Sequence, residues 1–216
     1  MTRMADEVDL SSEPQWGMAV WPAAVFAGLG LVVLFVDVPV ALWFRDHKLP
    51  GILRDLIQLS EAFADGTAVA VILAGFYILD RHHRRHTLRL IAMAYGSGLI
   101  ADCIKLLIAR TRPRAFGFTG DVWSTFQGWL PLVGNSSGQS FPSSHVAVAV
   151  GLALGMAMIY PHARWYFAAL ATLASLQRLQ SGAHFPSDIF WAAAVSWAFC
   201  WWLGSWDTRR KTIRTT

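Results

Sequence analysis

Six stretches without a charged side chain, at 20–36, 67–79, 90–101, 146–160, 165–177 and 189–206, divide this chain of 216 residues. A hydrophobic content of 55% with only 15% charged residues is too apolar for an ordinary soluble domain. We read an all-α, six-span transmembrane helical bundle. Several stretches fall short of the roughly 20 residues a helix needs to cross a bilayer. The second, fourth and fifth spans are therefore expected to recruit flanking Asp65, His145 and Arg178, which places polar groups at the hydrocarbon edge. Trp16, Trp21, Trp43, Trp165 and Trp206 fall near predicted span ends, where indole prefers the interface. Trp197, Trp201 and Trp202 are expected to face lipid or to pack.

Charge distribution gives an orientation. Arg81, Arg84, Arg85 and Arg89 cluster between the second and third spans, and Arg209, Arg210, Lys211 and Arg214 follow the sixth. The positive-inside rule puts both clusters in the cytoplasm. Both termini are then cytoplasmic, with the loops after the first, third and fifth spans outside, as for a bacterial inner-membrane protein with a periplasmic active face. The acidic start (Asp6, Glu7, Asp9, Glu13) lacks the basic region that opens a cleavable signal peptide. The net charge of +4 is modest, and nothing in the chain points to nucleic acid. Cys103 and Cys200 both lie in or beside predicted spans, which argues against a disulfide framework or a zinc site.

Three parts are expected: a disordered acidic tail at 1–17, a membrane domain at 18–206 and a basic cytoplasmic tail at 207–216. Asp37 and Pro39 are expected to end the first helix. The stretch 41–64 then carries Leu49, Ile52, Leu53, Leu56, Ile57 and Leu59 at helical spacing among Arg54, Asp55 and Glu61, as an interfacial amphipathic segment does. Gly96-Ser97-Gly98 and the pair Gly151 and Gly155 allow close helix packing, although simple composition would account for them as well. The connection 110–140 holds Pro113, Gly117, Gly120, Gly128, Pro131, Gly134 and Gly138. A loop that long serves a site more often than it merely connects.

Three short blocks at span ends carry the chemistry. In the first, Lys105 precedes Arg112 by two helical turns, so both face one point if the helix continues to Pro113. An ammonium and a guanidinium converging there suit a phosphate dianion. Snorkelling of Lys105 and Arg110 to headgroups is the plainer account, and Asp102 stands one turn before Lys105 as a partner. In the second block, Phe141-Pro-Ser-Ser-His145, a helix-entry pattern supplies backbone N–H groups for an anion. A bound dianion would hold a proton on His145, making it a general acid; an N-cap with an interfacial histidine is the alternative. In the third, Gly182 permits a sharp turn. Asp188 can reach back to His184 and fix its tautomer, or serve as an ordinary first-turn acid.

These residues resemble the type 2 phosphatidic acid phosphatase family, in its membrane branch, which shares its site with vanadium haloperoxidases. The family pattern runs K-x6-R-P, P-S-G-H, then S-R-x5-H-x3-D. Here Lys105, Arg112, Pro113, Pro142, Ser143, His145, Arg178, His184 and Asp188 match, while Ser144 replaces Gly and Gln177 replaces Ser. The resemblance implies that His184 is the nucleophile, oriented by Asp188, and that His145 protonates the leaving group and then activates water. It further implies that Lys105, Arg112, Arg178, Ser143 and the backbone N–H of Ser144 hold the phosphate. No metal and no cofactor are expected, since three cations supply the charge and no carboxylate cluster is placed to hold magnesium.

The expected partners are the bilayer and a lipid phosphate within it. The leading expectation is hydrolysis of a lipid phosphomonoester or pyrophosphate. Transfer of the phosphoryl group to a hydroxyl acceptor would use the same residues. An anion transporter is a third class, opposed by the absence of paired broken helices in repeated halves. Phe116, Phe118, Trp123, Phe126 and Trp129 are candidates for a headgroup pocket or for interfacial anchoring.

Overall fold

The computed structural model describes residues 17–47, 49–130 and 138–215, with side chains described through residue 206. The tail at 1–16, Trp16 included, Pro131 and Gly134 of the long loop, and the basic side chains from Arg209 to Arg214 lie outside the described residues.

Helices α1 (Trp21–Val33) and α2 (Asp37–Asp46), joined by one 3-10 turn at Leu34–Val36, make a helical rod of 26 residues. Asp37 and Pro39 therefore do not end the first helix as expected. Pro39 falls in the first turn of α2, where a missing N–H costs little. Asp37 is fully buried rather than facing water. α3 (Gly51–Leu59) buries Ile57 and leaves Ile52, Leu56 and Leu59 exposed, an apolar face suited to lipid beside a bundle. It is bent by 71° from α4 (Gly66–Leu79), whose first turn is capped by Asp65 accepting from the Ala68 N–H at 2.9 Å.

The remaining apolar stretches lie in α5 (Thr87–Lys105), α6 (Ser144–Ile159), α7 (Arg164–Gln180) and α8 (Pro186–Thr215). α8 runs without a break from the sixth stretch into the basic run. Length and apolarity qualify two rods as spans, Trp21–Asp46 and Arg84–Lys105, or three if the bent α3–α4 pair counts as one. α6 has 16 residues, a rise of about 24 Å, and falls short of the roughly 30 Å hydrocarbon core. Six spans exceed what helix length and composition alone establish.

α6 is the central element, packed on α5, α7 and α8, while α1 lies against α8. The approach of α5 to α6 requires glycine. A Cβ on Gly151 would lie 2.1 Å from the Met93 carbonyl oxygen, and one on Gly98 would lie 2.6 Å from the Val148 Cγ2. Composition alone does not account for these glycines. Around them Val69, Leu73, Leu90, Leu152 and Ala174 form the apolar core.

One small departure from an all-helical chain occurs in the long connection. β1 (Ile108–Arg110) pairs antiparallel with β2 (Phe126–Trp129), with a register shift between Ala109 and Arg110. The chain direction puts the end of α5, the start of α6 and the α7–α8 turn at one end of the bundle, so all three blocks gather there. Arg81, Arg84 and Arg85 fall at the other end, between α4 and α5.

Candidate active site

The first block does not stay helical. α5 stops at Lys105, the chain turns through 106–107 into β1, and Arg112 is extended (φ −73°, ψ 149°). Lys105 and Arg112 therefore do not share a helix face, contrary to the two-turn reading. The hairpin, closed by β2, pulls the chain out of the helix before Pro113 can. Lys105 is buried, with Nζ 3.0 Å from Asp102 Oδ1 and donating also to Ser144 Oγ, which in turn donates to Asp102. Ser144, one of the two residues that depart from the family pattern, thus holds the lysine. Arg112 donates to the Gln139 carbonyl at 3.3 Å. Desolvation lowers the Arg112 pKa, and repulsion from Arg114 and Arg178 adds to that while Asp188 opposes it. A cation crowded by cations gains most from a bound anion.

Ser143 caps α6, its buried Oγ accepting from the Val146 N–H at 3.4 Å while its O–H remains a donor. The same start presents backbone N–H groups for which a helix offers no acceptor of its own. His145, half-buried in the first turn, lies within electrostatic reach of Arg178, His184 and Lys105. Together with Asp102 and Ser144 it forms the polar end of a cavity of about 560 Å3 whose other walls include Tyr95, Leu99 and Ile91. Leu99 and Ile91 also face outward.

Gly182 takes φ +60° in the turn after α7, and its carbonyl accepts from the Arg114 N–H at 2.9 Å, tying the third block to the first. A Cβ there would be strained and 3.3 Å from the Arg114 Cβ. His184 is 2% exposed. Its Nδ1 donates to the Ser140 carbonyl at 2.7 Å, while Asp188 Oδ2 lies 3.8 Å away, beyond hydrogen-bond range. The expected direct grip of Asp188 on His184 is replaced by a bridge. Ser140 holds the imidazole with its carbonyl and donates its hydroxyl to Asp188 Oδ2 at 2.5 Å. Nδ1–H is thereby fixed, and Nε2 keeps its lone pair. Burial depresses the His184 pKa, the Asp188 charge opposes this, and Lys105 and Arg112 add to the depression.

Besides Ser140, two sets of residues at the site escaped the sequence reading. Glu61, in the bend between α3 and α4, accepts from Arg178 Nη2 and, at 2.9 Å, from Gln177 Nε2. The substitution at Gln177 therefore adds a second donor to a carboxylate beside the arginine. Arg110 does not snorkel. It is fully buried and ion-pairs with Asp37 at 2.7 Å and with Asp188 at 2.5 Å. The available signal was a charge at the end of an apolar run, which snorkelling explains equally well.

Among the five loop aromatics, the Phe126 ring stacks on the Arg110 guanidinium and Phe116 meets Phe185 edge to face. Phe118 lies under Arg45, and Trp123 and Trp129 are exposed.

The sequence model of one family, described as the PAP2 superfamily, matches residues 86–212. The chain belongs to the PAP2 superfamily. Its match runs from the start of α5 through the three blocks into the end of α8. Among relatives, a lipid A 1-phosphatase of Rhizobium johnstonii (strain DSM 114642 / LMG 32736 / 3841) is 28% identical over 188 residues, covering 78% of this chain and 73% of that protein. A lipid A 1-phosphatase of Rhizobium etli (strain ATCC 51251 / DSM 11541 / JCM 21823 / NBRC 15573 / CFN 42) is 27% identical, covering 78% and 77%. In fold, the chain is similar to the crystal structure of a transmembrane PAP2-type phosphatidylglycerolphosphate phosphatase from Bacillus subtilis. The TM-score is 0.59 at 15% identity, over 88% of this chain and 97% of that one. That likeness establishes a transmembrane PAP2 fold and no more.

Proposed function

We propose that this PAP2 protein is an integral membrane lipid phosphatase that hydrolyses a lipid phosphomonoester or pyrophosphate through a phosphohistidine on His184. The observation that carries the reading is the His184 environment: a buried imidazole with Nδ1–H held by Ser140 and Nε2 left as the nucleophile, coupled to Lys105 and Arg112. Nε2 attacks phosphorus, the bond to the leaving oxygen breaks, and that oxygen takes a proton from His145. Water then attacks phosphorus, His145 takes the water proton, and the P–N pair returns to Nε2. Lys105, Arg112, Arg178 and the first N–H groups of α6 stabilise the oxygens as charge redistributes. With three cations in that role, no metal is required.

Membrane placement supports a lipid substrate. The cavity at His145 extends down α5 past Leu99 and Ile91, about 16 Å along the helix from Asp102, between residues that also face outward. A phosphate at the polar end would leave its tail along this wall, in the bilayer. We further propose six spans, with the active end outside and both termini inside, because the arginines between α4 and α5 lie at the end away from the site. The names of the Rhizobium relatives favour a glycolipid phosphate among the candidate substrates.

The test is phosphate release from a panel of lipid phosphates by detergent-purified protein with excess chelator. Release that persists with chelator and disappears in His184→Gln is the expected result; an active His184→Gln variant overturns the mechanism. Transfer of label to an added hydroxyl acceptor in place of free phosphate would replace hydrolase by transferase, and binding without turnover would leave an anion-binding protein.

A further inference from the structure

Arg110 is the bulkiest fully buried side chain among the described residues, and every polar atom of its guanidinium is engaged. Nε donates to Thr125 Oγ1 at 3.1 Å, Nη1 to Ser187 Oγ at 2.8 Å and Asp188 Oδ1 at 2.5 Å, and Nη2 to Asp37 Oδ2 at 2.7 Å. Phe126 and Phe185 contribute ring faces 4.6 and 4.4 Å from its carbon. Asp37 is equally saturated, since Oδ1 accepts from the Ser187 N–H at 2.8 Å and Oδ2 also accepts from the Ser187 hydroxyl. Asp37, Arg110 and Asp188 all have fully buried side chains. They come from α2, β1 and α8, three segments far apart in the chain.

The count of charges bears on the His184 step. When Nε2 bonds to phosphorus, the imidazole becomes a cation in a site that is 2% exposed. Asp188 alone would match it, but Arg110 already neutralises Asp188. Asp37 restores the balance when it is ionised: two carboxylates and one guanidinium then leave one net negative charge behind His184. A strut that merely pinned α2 to the site would need only one carboxylate per arginine, and a second buried carboxylate leaves a charge the arginine alone does not compensate.

Resting on the reading of His184 as nucleophile, we propose that Asp37 and Arg110 are positioning residues for phosphohistidine formation. Arg110 fixes the Asp188 carboxylate that faces His184 through Ser140. Asp37 sets the net charge of the buried set so that the imidazolium is stabilised as it forms.

The experiment compares wild type, Asp37→Asn and Thr125→Val, full-length in detergent, with a 32P-labelled lipid phosphate that the wild type turns over. Single-turnover labelling (acid-labile, base-stable), kcat, KM and thermal melting are read together. Asp37→Asn removes one charge with little change in volume; it should label about thirtyfold more slowly, with KM within about twofold and the folded protein retained. Thr125→Val removes one hydrogen bond from Arg110 and no charge; it should slow labelling about threefold at unchanged KM.

A folded Asp37→Asn that labels at the wild-type rate, or whose only defect is a raised KM, overturns the proposal. If Asp37→Asn does not fold, Thr125→Val decides: slower labelling at unchanged KM supports the proposal, and a wild-type rate overturns it. Failure of the underlying reading is separately visible. A wild type that releases phosphate without ever carrying label, or an active His184→Gln, removes the phosphohistidine and this proposal with it, whatever Asp37→Asn does.

Discussion

Among the described residues two histidine–aspartate pairs, His83 with Asp80 and His184 with Asp188, stand at opposite ends of the bundle, and the tighter pair is not the one at the site. His83 Nδ1 lies 2.8 Å from Asp80 Oδ2, whereas His184 Nδ1 lies 3.8 Å from Asp188 Oδ2. Asp80 is also capped by the His82 and His83 N–H groups and by the Tyr160 hydroxyl, so it clasps the α4–α5 turn to the end of α6. The His83 ring packs among Tyr160, His82 and His86. At the site end the imidazole is held by a carbonyl and the carboxylate is held by an arginine, while the cavity opens beside His145. A short histidine–carboxylate contact makes a clasp. The proposed reaction centre has instead a ring whose Nδ1 is fixed by a carbonyl.

The largest test of this contrast is to exchange the histidines for glutamine in turn. His184→Gln should lose at least about ten-thousandfold in kcat/KM on a lipid phosphate, while His83→Gln should stay within about twofold. Comparable losses from the two would erase the distinction. Next, if Lys105 holds the phosphate as proposed, Lys105→Met should lower kcat/KM by about a hundredfold to a thousandfold with a melting temperature near wild type.

The clasp predicts the reverse pattern. Asp80→Ala should cost about 2–3 kcal/mol of stability, read by thermal melting in detergent, at unchanged kcat. Burial opposes ionisation of Asp80, yet hydrogen bonds from Tyr160 and His83 hold its pKa at about 2. A depressed folded-state pKa contributes stability that is present above the unfolded value near 3.9. That stability is lost as pH falls toward about 2, so Asp80→Ala should flatten this part of the acid limb.

Smaller still is the pH effect on activity. With the His184 pKa depressed by burial, the free protein keeps a neutral imidazole, the proposed nucleophile, below the ordinary histidine value of about 6.5. The acid limb of kcat/KM from this group should therefore begin below that pH, and loss of half the activity at pH 6.5 through His184 protonation would contradict it. Least of all, Ser144→Gly, which restores the family residue, should change kcat by no more than about threefold. The Asp102 partner of Lys105 remains.

Much of the site was legible because its residues are chemically unusual where they stand. Lys105, Arg112, His145, Arg178, His184 and Asp188 interrupt the ends of apolar runs at fixed spacings, and the folded chain gathers them at one end. Asp102 was legible too, as a carboxylate one helical turn from a lysine. Glu61 was passed over because its partners, Gln177 and Arg178, are more than a hundred residues away. Ser140 was invisible for another reason: its decisive group is a backbone carbonyl, which every residue possesses. Asp37 and Pro39 read as a helix stop because local propensity says so. A buried counter-charge and a first-turn position let the helix continue.

By itself the sequence determined that this chain is helical and belongs in a membrane, and that basic residues and histidines stand at the ends of its apolar runs. Apolar runs and charges at their ends act locally, so spacing along the chain is enough to read them. Only the tertiary structure decided which carboxylate holds which cation. It turned Arg110 from a headgroup anchor into the buried centre between Asp37 and Asp188, and it gave His184 to a carbonyl. Those pairings depend on which segments exclude water together, and burial, which makes a charge pair matter, is a property of the fold.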